Sequence, residues 1–133
     1  MIQAASLVVV AFSLLLIAFT VVVFAKPATA ERFVAQFASS ARSHYLEQAF
    51  RILVGAALIV RSPAMWQSAV FRLVGWAILI SSVALMCAPW QWHHRFGERI
   101  RPMFMRYLKV YALGAFAFGV LLLYGVFVGG RAA

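Results

Sequence analysis

The chain alternates long apolar runs with short polar breaks, and the breaks hold most of its charge. Residues 2–25 contain no charged side chain, an uninterrupted length that suits a helix crossing ~30 Å of hydrocarbon. Lys26 and Pro27 end that run, because the charge seeks water and proline has no amide with which to continue a helix. From about residue 30 to 45 the pattern turns amphipathic. Phe33, Phe37, Ala41 and Tyr45 recur at every fourth position, with Arg32, Gln36, Ser39 and Ser43 elsewhere. That spacing predicts a helix lying in the membrane interface, aromatic stripe downward; a connector packed against other helices reads equally well.

Residues 50–92 say nearly the same thing twice. Phe50-Arg51 opens an apolar run that bears Gly55 and closes on Pro63 and Trp66; Phe71-Arg72 opens another that bears Gly75 and closes on Pro89, Trp90 and Trp92. The pattern predicts two consecutive helices, over about 46–61 and 66–88, crossing in opposite directions as an internal repeat. The first is the weaker span, since only residues 52–60 separate Arg51 from Arg61. It crosses if both arginines snorkel outward along their stems. Gly55 and Gly75 let neighbouring helices approach closely.

A second interfacial segment is expected over about 90–106. Its stripe of Trp92, Phe96, Ile100, Met103 and Tyr107 is interrupted by Pro102, and Arg95, Arg99, Arg101, Arg106 and Lys109 face anionic headgroups. The last apolar run, 108–128, offers Gly114 and Gly119 as further packing positions. The fold class is therefore an all-α integral membrane protein: four transmembrane helices and two amphipathic segments in a single domain, residues 1–133.

Composition strengthens that reading. Of 133 residues 65% are apolar, and only Glu31, Glu47 and Glu98 are acidic; the mean hydropathy is +0.94. A water-soluble core in so short a chain does not hide that much hydrocarbon. Ala28-Thr29-Ala30 has the look of a signal-peptide cleavage site, but the preceding run lacks a basic N-region and exceeds the usual apolar core. A retained first helix is expected, with cleavage as the alternative. The net charge of +9 does not point to nucleic acid, because the basic residues flank apolar runs as membrane-edge charges do. Lys26, Arg32, Arg42 and Arg51, with the five from Arg95 to Lys109, make nine of the twelve Lys and Arg; Arg61, Arg72 and Arg131 are the rest. The positive-inside rule then places residues 26–51 and 90–109 in the cytoplasm and both termini outside it, in a bacterial inner membrane.

Little in the sequence carries chemistry. Arg51, Arg72, Trp66, Trp90 and Trp92 read as interface anchors, with a paired or anion-contacting role as the alternative for the two arginines. Glu47 and Arg51 have the i, i+4 order that suits a helical ion pair. His44/Glu47 and His94/Glu98 have spacings that share a helix face, so a transition metal, or haem on His44 with His93 or His94, is the minor alternative to solvated interfacial residues. Cys87 reads as a small buried hydrophobe. No nucleophile-base pair or phosphate loop is present, and no span bears an acidic residue at mid-depth, which counts against proton-coupled antiport. No catalytic residue, metal ligand set or cofactor is assigned.

Gly55, Pro63-x-x-Trp66 and Arg72-x-x-Gly75 occur in a succession that resembles the YjeT-type family of short bacterial inner-membrane proteins. That resemblance covers part of the central repeat, with a shortened gap between Trp66 and Arg72, and implies a small two-helix membrane unit of unknown activity. The expected function is a non-enzymatic accessory, scaffold or assembly subunit of a membrane complex, with a membrane protein or a second copy as partner. A small oligomeric transporter or channel is the alternative, and a metal- or haem-binding redox subunit a further one.

Overall fold

The computed structural model describes residues 1–36 and 39–129. Six helices follow in order: α1 (Ile2–Ala25), α2 (Pro27–Ala35), α3 (Ala41–Arg61), α4 (Ser68–Cys87), α5 (Trp90–Arg106) and α6 (Leu108–Gly129). A 3-10 turn, Ser62–Ala64, links α3 to α4, and no strand occurs among the described residues. Helices α1, α4 and α6 are long and apolar enough to cross a membrane. Helix α3 has 21 residues but includes Arg42, Glu47, Arg51 and Arg61.

Each boundary has a local cause. Pro27 occupies the first turn of α2, where its missing N–H costs nothing and its fixed φ favours helix. The expected single amphipathic helix over 30–45 is instead two pieces. The Ser40 side chain accepts from the Ser43 amide at 3.1 Å and starts a new helix. Residues 41–45 thereby join the second apolar run, which is longer than the expected 46–61. Phe37 and Ala38 of the aromatic stripe lie outside the described residues, as does Arg131. Pro102 does not interrupt α5, which runs through it to Arg106; the break comes at Tyr107, whose ψ of 22° leaves the helical range. At the other end of the bundle the chain reverses through Gln67, held at φ 55°, a left-handed conformation that costs a non-glycine residue about 1–2 kcal/mol.

The long helices pack as two antiparallel pairs, α1 with α6 and α3 with α4, joined chiefly through α1 and α3. In the first pair, Thr20 Oγ1 donates to the Ala112 carbonyl at 2.8 Å. Further along, a Cβ on Gly119 would stand 2.9 Å from the Ser13 carbonyl oxygen. In the second, the two repeat glycines meet: a Cβ on Gly55 would lie 2.9 Å from the Gly75 oxygen, and one on Gly75 3.0 Å from the Gly55 oxygen. Gly114 is different, because a Cβ there meets nothing within 4 Å; it faces outward, and Gly125 and Gly129 supply the inward positions on α6 instead. Val9, Val54, Leu58 and Leu122 form the buried centre. A smaller cluster of Val23, Ala30, Leu108 and Ala112 ties α2 to the junction of α1 and α6. Leu7, Leu73, Trp76 and Phe127 point out of the bundle.

The alternation gathers the chain's breaks at two ends. One holds Met65 and Trp66, whose amide donates to the Gly125 carbonyl at 3.1 Å, and the end of α6. The other holds α2, the start of α3 and α5.

Gly55→Val forces a branched side chain into the α3–α4 contact and should cost about 1–3 kcal/mol, the usual range for overpacking. Gly114→Ala should be neutral or stabilising by up to about 1 kcal/mol. Thermal unfolding of both variants in one detergent checks the pair; equal losses would contradict the assigned helix faces.

Candidate functional site, a polar pocket between α2, α3 and α5

His44, Gln48 and Arg51 fall at i, i+4 and i+7, so they share one face of α3. Gly55 and Leu58 continue that face, so it passes from polar to apolar as it enters the bundle. Close approach at Gly55 and Gly75 holds the polar end against the last turns of α4.

Pro89 determines what His44 meets there. In an uninterrupted helix the Leu85 carbonyl would accept from residue 89, but proline has no N–H to give. His44 Nε2 lies 3.0 Å from that oxygen. A carbonyl only accepts, so the contact assigns the proton of neutral His44 to Nε2 and leaves Nδ1 as an acceptor. His93 Nδ1 stands 3.1 Å from it and donates, with the rings edge to face at a centroid distance of 5.0 Å. His44 is fully buried and uses both ring nitrogens, leaving neither for iron in this arrangement. Burial holds the His93 imidazole below its ordinary value; Glu47 opposes this and Arg51 adds to it.

Arg51 donates to Ser81 Oγ at 3.2 Å. Ser81 lies six residues before the end of α4, about 9 Å along its axis, so Arg51 reaches inward. Its i, i+4 partner Glu47 is 3.9 Å away, too far for a hydrogen bond. Among the described residues, Glu47 Oε2 and both polar atoms of the fully buried Gln48 have no hydrogen-bond partner. A cavity of about 400 Å³ is lined by Glu47, Arg51, His93, His94, Glu98 and Arg101 among others. Glu98 and Arg101 pair across its rim at 3.0 Å.

The expected site residues thus separate into groups. Glu47, His94 and Glu98 converge on one pocket, while His44 sits beneath it and pairs with His93. Among the described residues no three His, Cys, Asp or Glu side chains are grouped to hold a metal ion. Cys87 is exposed instead of buried, because it occupies the last turn of α4. Arg95, Arg99, Arg106 and Lys109 are exposed and Arg101 half-buried; Lys109 lies over the Phe24 ring at 5.9 Å. Trp92 projects outward and Trp90 is half-buried. At the opposite end Arg72 is exposed in the first turn of α4, and Trp66 packs edge-on against Tyr124. Gln48 was not singled out in the sequence, and Ser81 only as a small packing residue and as part of a pore face with Arg51. The i, i+4, i+7 spacing of His44, Gln48 and Arg51 was the available signal.

Compared with protein-family models, curated proteins and solved structures, the chain matches none.

Two outcomes follow from the pocket. Gln48→Leu removes two unsatisfied buried groups at similar volume and should raise stability by about 1–3 kcal/mol, read as a higher melting temperature. His93 remains neutral in the fold at pH values where the unfolded imidazole, with its ordinary pKa of about 6.5, already binds a proton. The unfolded state therefore gains protons first on acidification. Stability should fall as pH drops below that value, by an amount that levels off below the folded pKa. Melting curves from pH 8 to 5 should show this loss, and His93→Asn, which keeps a donor near His44, should flatten it.

Proposed function

We propose that this protein is a four-span protein of a bacterial inner membrane, with both termini outside the cytoplasm, and that it serves as a non-enzymatic accessory or scaffold subunit of a larger membrane complex. The supporting observation is the division of its surface. The flanks of the bundle are apolar, at residues such as Leu7, Leu73 and Phe127, and the centre is closed by Val9, Val54, Leu58 and Leu122. Charge collects mainly at the α2–α5 end. Helix α3 is the fourth crossing: it runs antiparallel to α4 and presents Val54, Ala57 and Leu58 to the core. Apolar flanks and small-residue contacts equip a protein to pack beside others in lipid, where association rests on close van der Waals fit. The basic face of α5 suits anionic headgroups, each basic residue contributing about 1 kcal/mol near such a surface.

A second reading, an oligomeric transporter or channel, draws on the Arg51–Ser81 bond and the orphaned Gln48, polar groups set within helices that face one another.

Crosslinking in native membranes followed by extraction in mild detergent should recover the protein with a stable larger partner or with copies of itself. A monodisperse monomer with no crosslinked neighbour would sink the accessory reading. Reporter fusions after residue 129 and within 62–67 should both score non-cytoplasmic, and a fusion near residue 40 cytoplasmic. Flux of ions or anionic solutes in proteoliposomes would instead favour the transporter.

A further inference from the structure

The polar pocket does not end at its charged rim. Val34 and Phe104 line it, and the same two side chains line an apolar groove of about 550 Å³. Both volumes fall within the roughly 300–1,000 Å³ of small-molecule sites. The groove follows α1 from Phe12 to Val22, between the aromatic rings of Phe19, Phe33 and Phe50. Those ten residue steps rise about 15 Å, half of the ~30 Å hydrocarbon core. Its length is that of one leaflet.

The charges at the head of the groove are balanced. Arg51 and Arg101 face Glu47 and Glu98 around the pocket, and burial keeps His93 from adding a positive charge. A simple anion would meet as many carboxylates as guanidinium groups. A zwitterion whose charges lie a few bonds apart satisfies both. Glu98 and Arg101 already satisfy one another, whereas Glu47 and Arg51 stand too far apart to do so. Glu47 Oε2 is buried without a donor among the described residues. A primary ammonium brings three N–H donors; a trimethylammonium brings none. The Arg51 fork spends a donor on Ser81 and has others for a phosphodiester.

We propose that pocket and groove form one site for a single zwitterionic aminophospholipid. Its ammonium donates to Glu47, its phosphodiester accepts from Arg51, and an acyl chain lies along α1 between Phe12 and Val22. The site rests on the membrane placement proposed above but not on the accessory role. It is distinct from the outer face of α5, where Arg95 and Arg99 meet the general anionic surface.

Native mass spectrometry of the delipidated, detergent-solubilised protein tests it, using dioleoyl phosphatidylethanolamine, phosphatidylcholine and phosphatidylglycerol in turn. The expected result is one saturable phosphatidylethanolamine adduct, held at least tenfold tighter than phosphatidylcholine and more tightly than phosphatidylglycerol. Glycerophosphoethanolamine, the same head without chains, should not be retained. Glu47→Gln should reduce the ethanolamine-over-choline preference to less than threefold. Ala18→Trp, which fills the groove from an exposed position, should weaken all three lipids about tenfold.

Equal retention of ethanolamine and choline lipids by the wild-type protein overturns the proposal, and that comparison needs no variant to fold. So does strongest retention of phosphatidylglycerol, a series of unsaturable adducts, or crosslinks from position 18 to another protein in place of lipid. A folded Glu47→Gln protein that keeps the full preference also overturns it. A lone monomer that retains the lipid removes the accessory role and leaves the site standing; a complexed protein without the lipid does the reverse.

Discussion

The structure depends on the approach of α3 to α4 at two glycines. With no side chain on Gly55 or Gly75, each backbone oxygen stands only 2.9 and 3.0 Å from where the other's Cβ would be. In lipid there is no hydrophobic gain from hiding apolar side chains from a solvent of the same kind, so helix pairing rests on close packing. This contact fixes both the distance and the rotation of α3. Because His44, Gln48 and Arg51 lie on the face that continues from Gly55, that rotation also carries them against α4. The polar cluster is a consequence of the same register that builds the apolar contact above it.

Within that register a single proline organises the pocket. Pro89 withholds the amide that the Leu85 carbonyl would otherwise receive, His44 supplies the donor, and its other nitrogen then selects the His93 tautomer. Proline thus ends α4 and also directs a buried hydrogen-bond chain from α4 through α3 to α5. Gln48, one turn from His44 on the same face, finds no partner among the described residues, so the cluster is only partly satisfied. Incomplete polar satisfaction of this kind costs stability, and the neighbouring Glu47 lines the cavity that shares Val34 and Phe104 with the leaflet-length groove.

Proline and charge account for the breaks read directly: Lys26 and Pro27 end α1, and Pro89 closes α4. Ser40 was the subtler signal, since the aromatic spacing of Phe33, Ala41 and Tyr45 continued across it and concealed the break. Pro102 misled in the other direction, because α5 continues past it. Gly114 and Gly119 look alike in sequence, both small residues in an apolar run. Only one touches a neighbour. Helix α6 is apolar all round, so its composition contains no side that must face inward.

What the sequence by itself determined was where the long apolar runs lie and that α1, α4 and α6 are long enough to cross a bilayer. Hydropathy and proline act along one dimension, and a run such as 2–25 needs no neighbour to be apolar. The clustering of nine basic residues in two breaks is equally a property of the chain. Tertiary structure alone decided which faces meet: Gly55 with Gly75, His44 with His93 in place of His94, Arg51 with Ser81 beyond its loose contact with Glu47. The reason is rotational. Each helix can turn about its axis with little change in its own backbone energy, and only the fit against its neighbours selects the angle that makes the pocket.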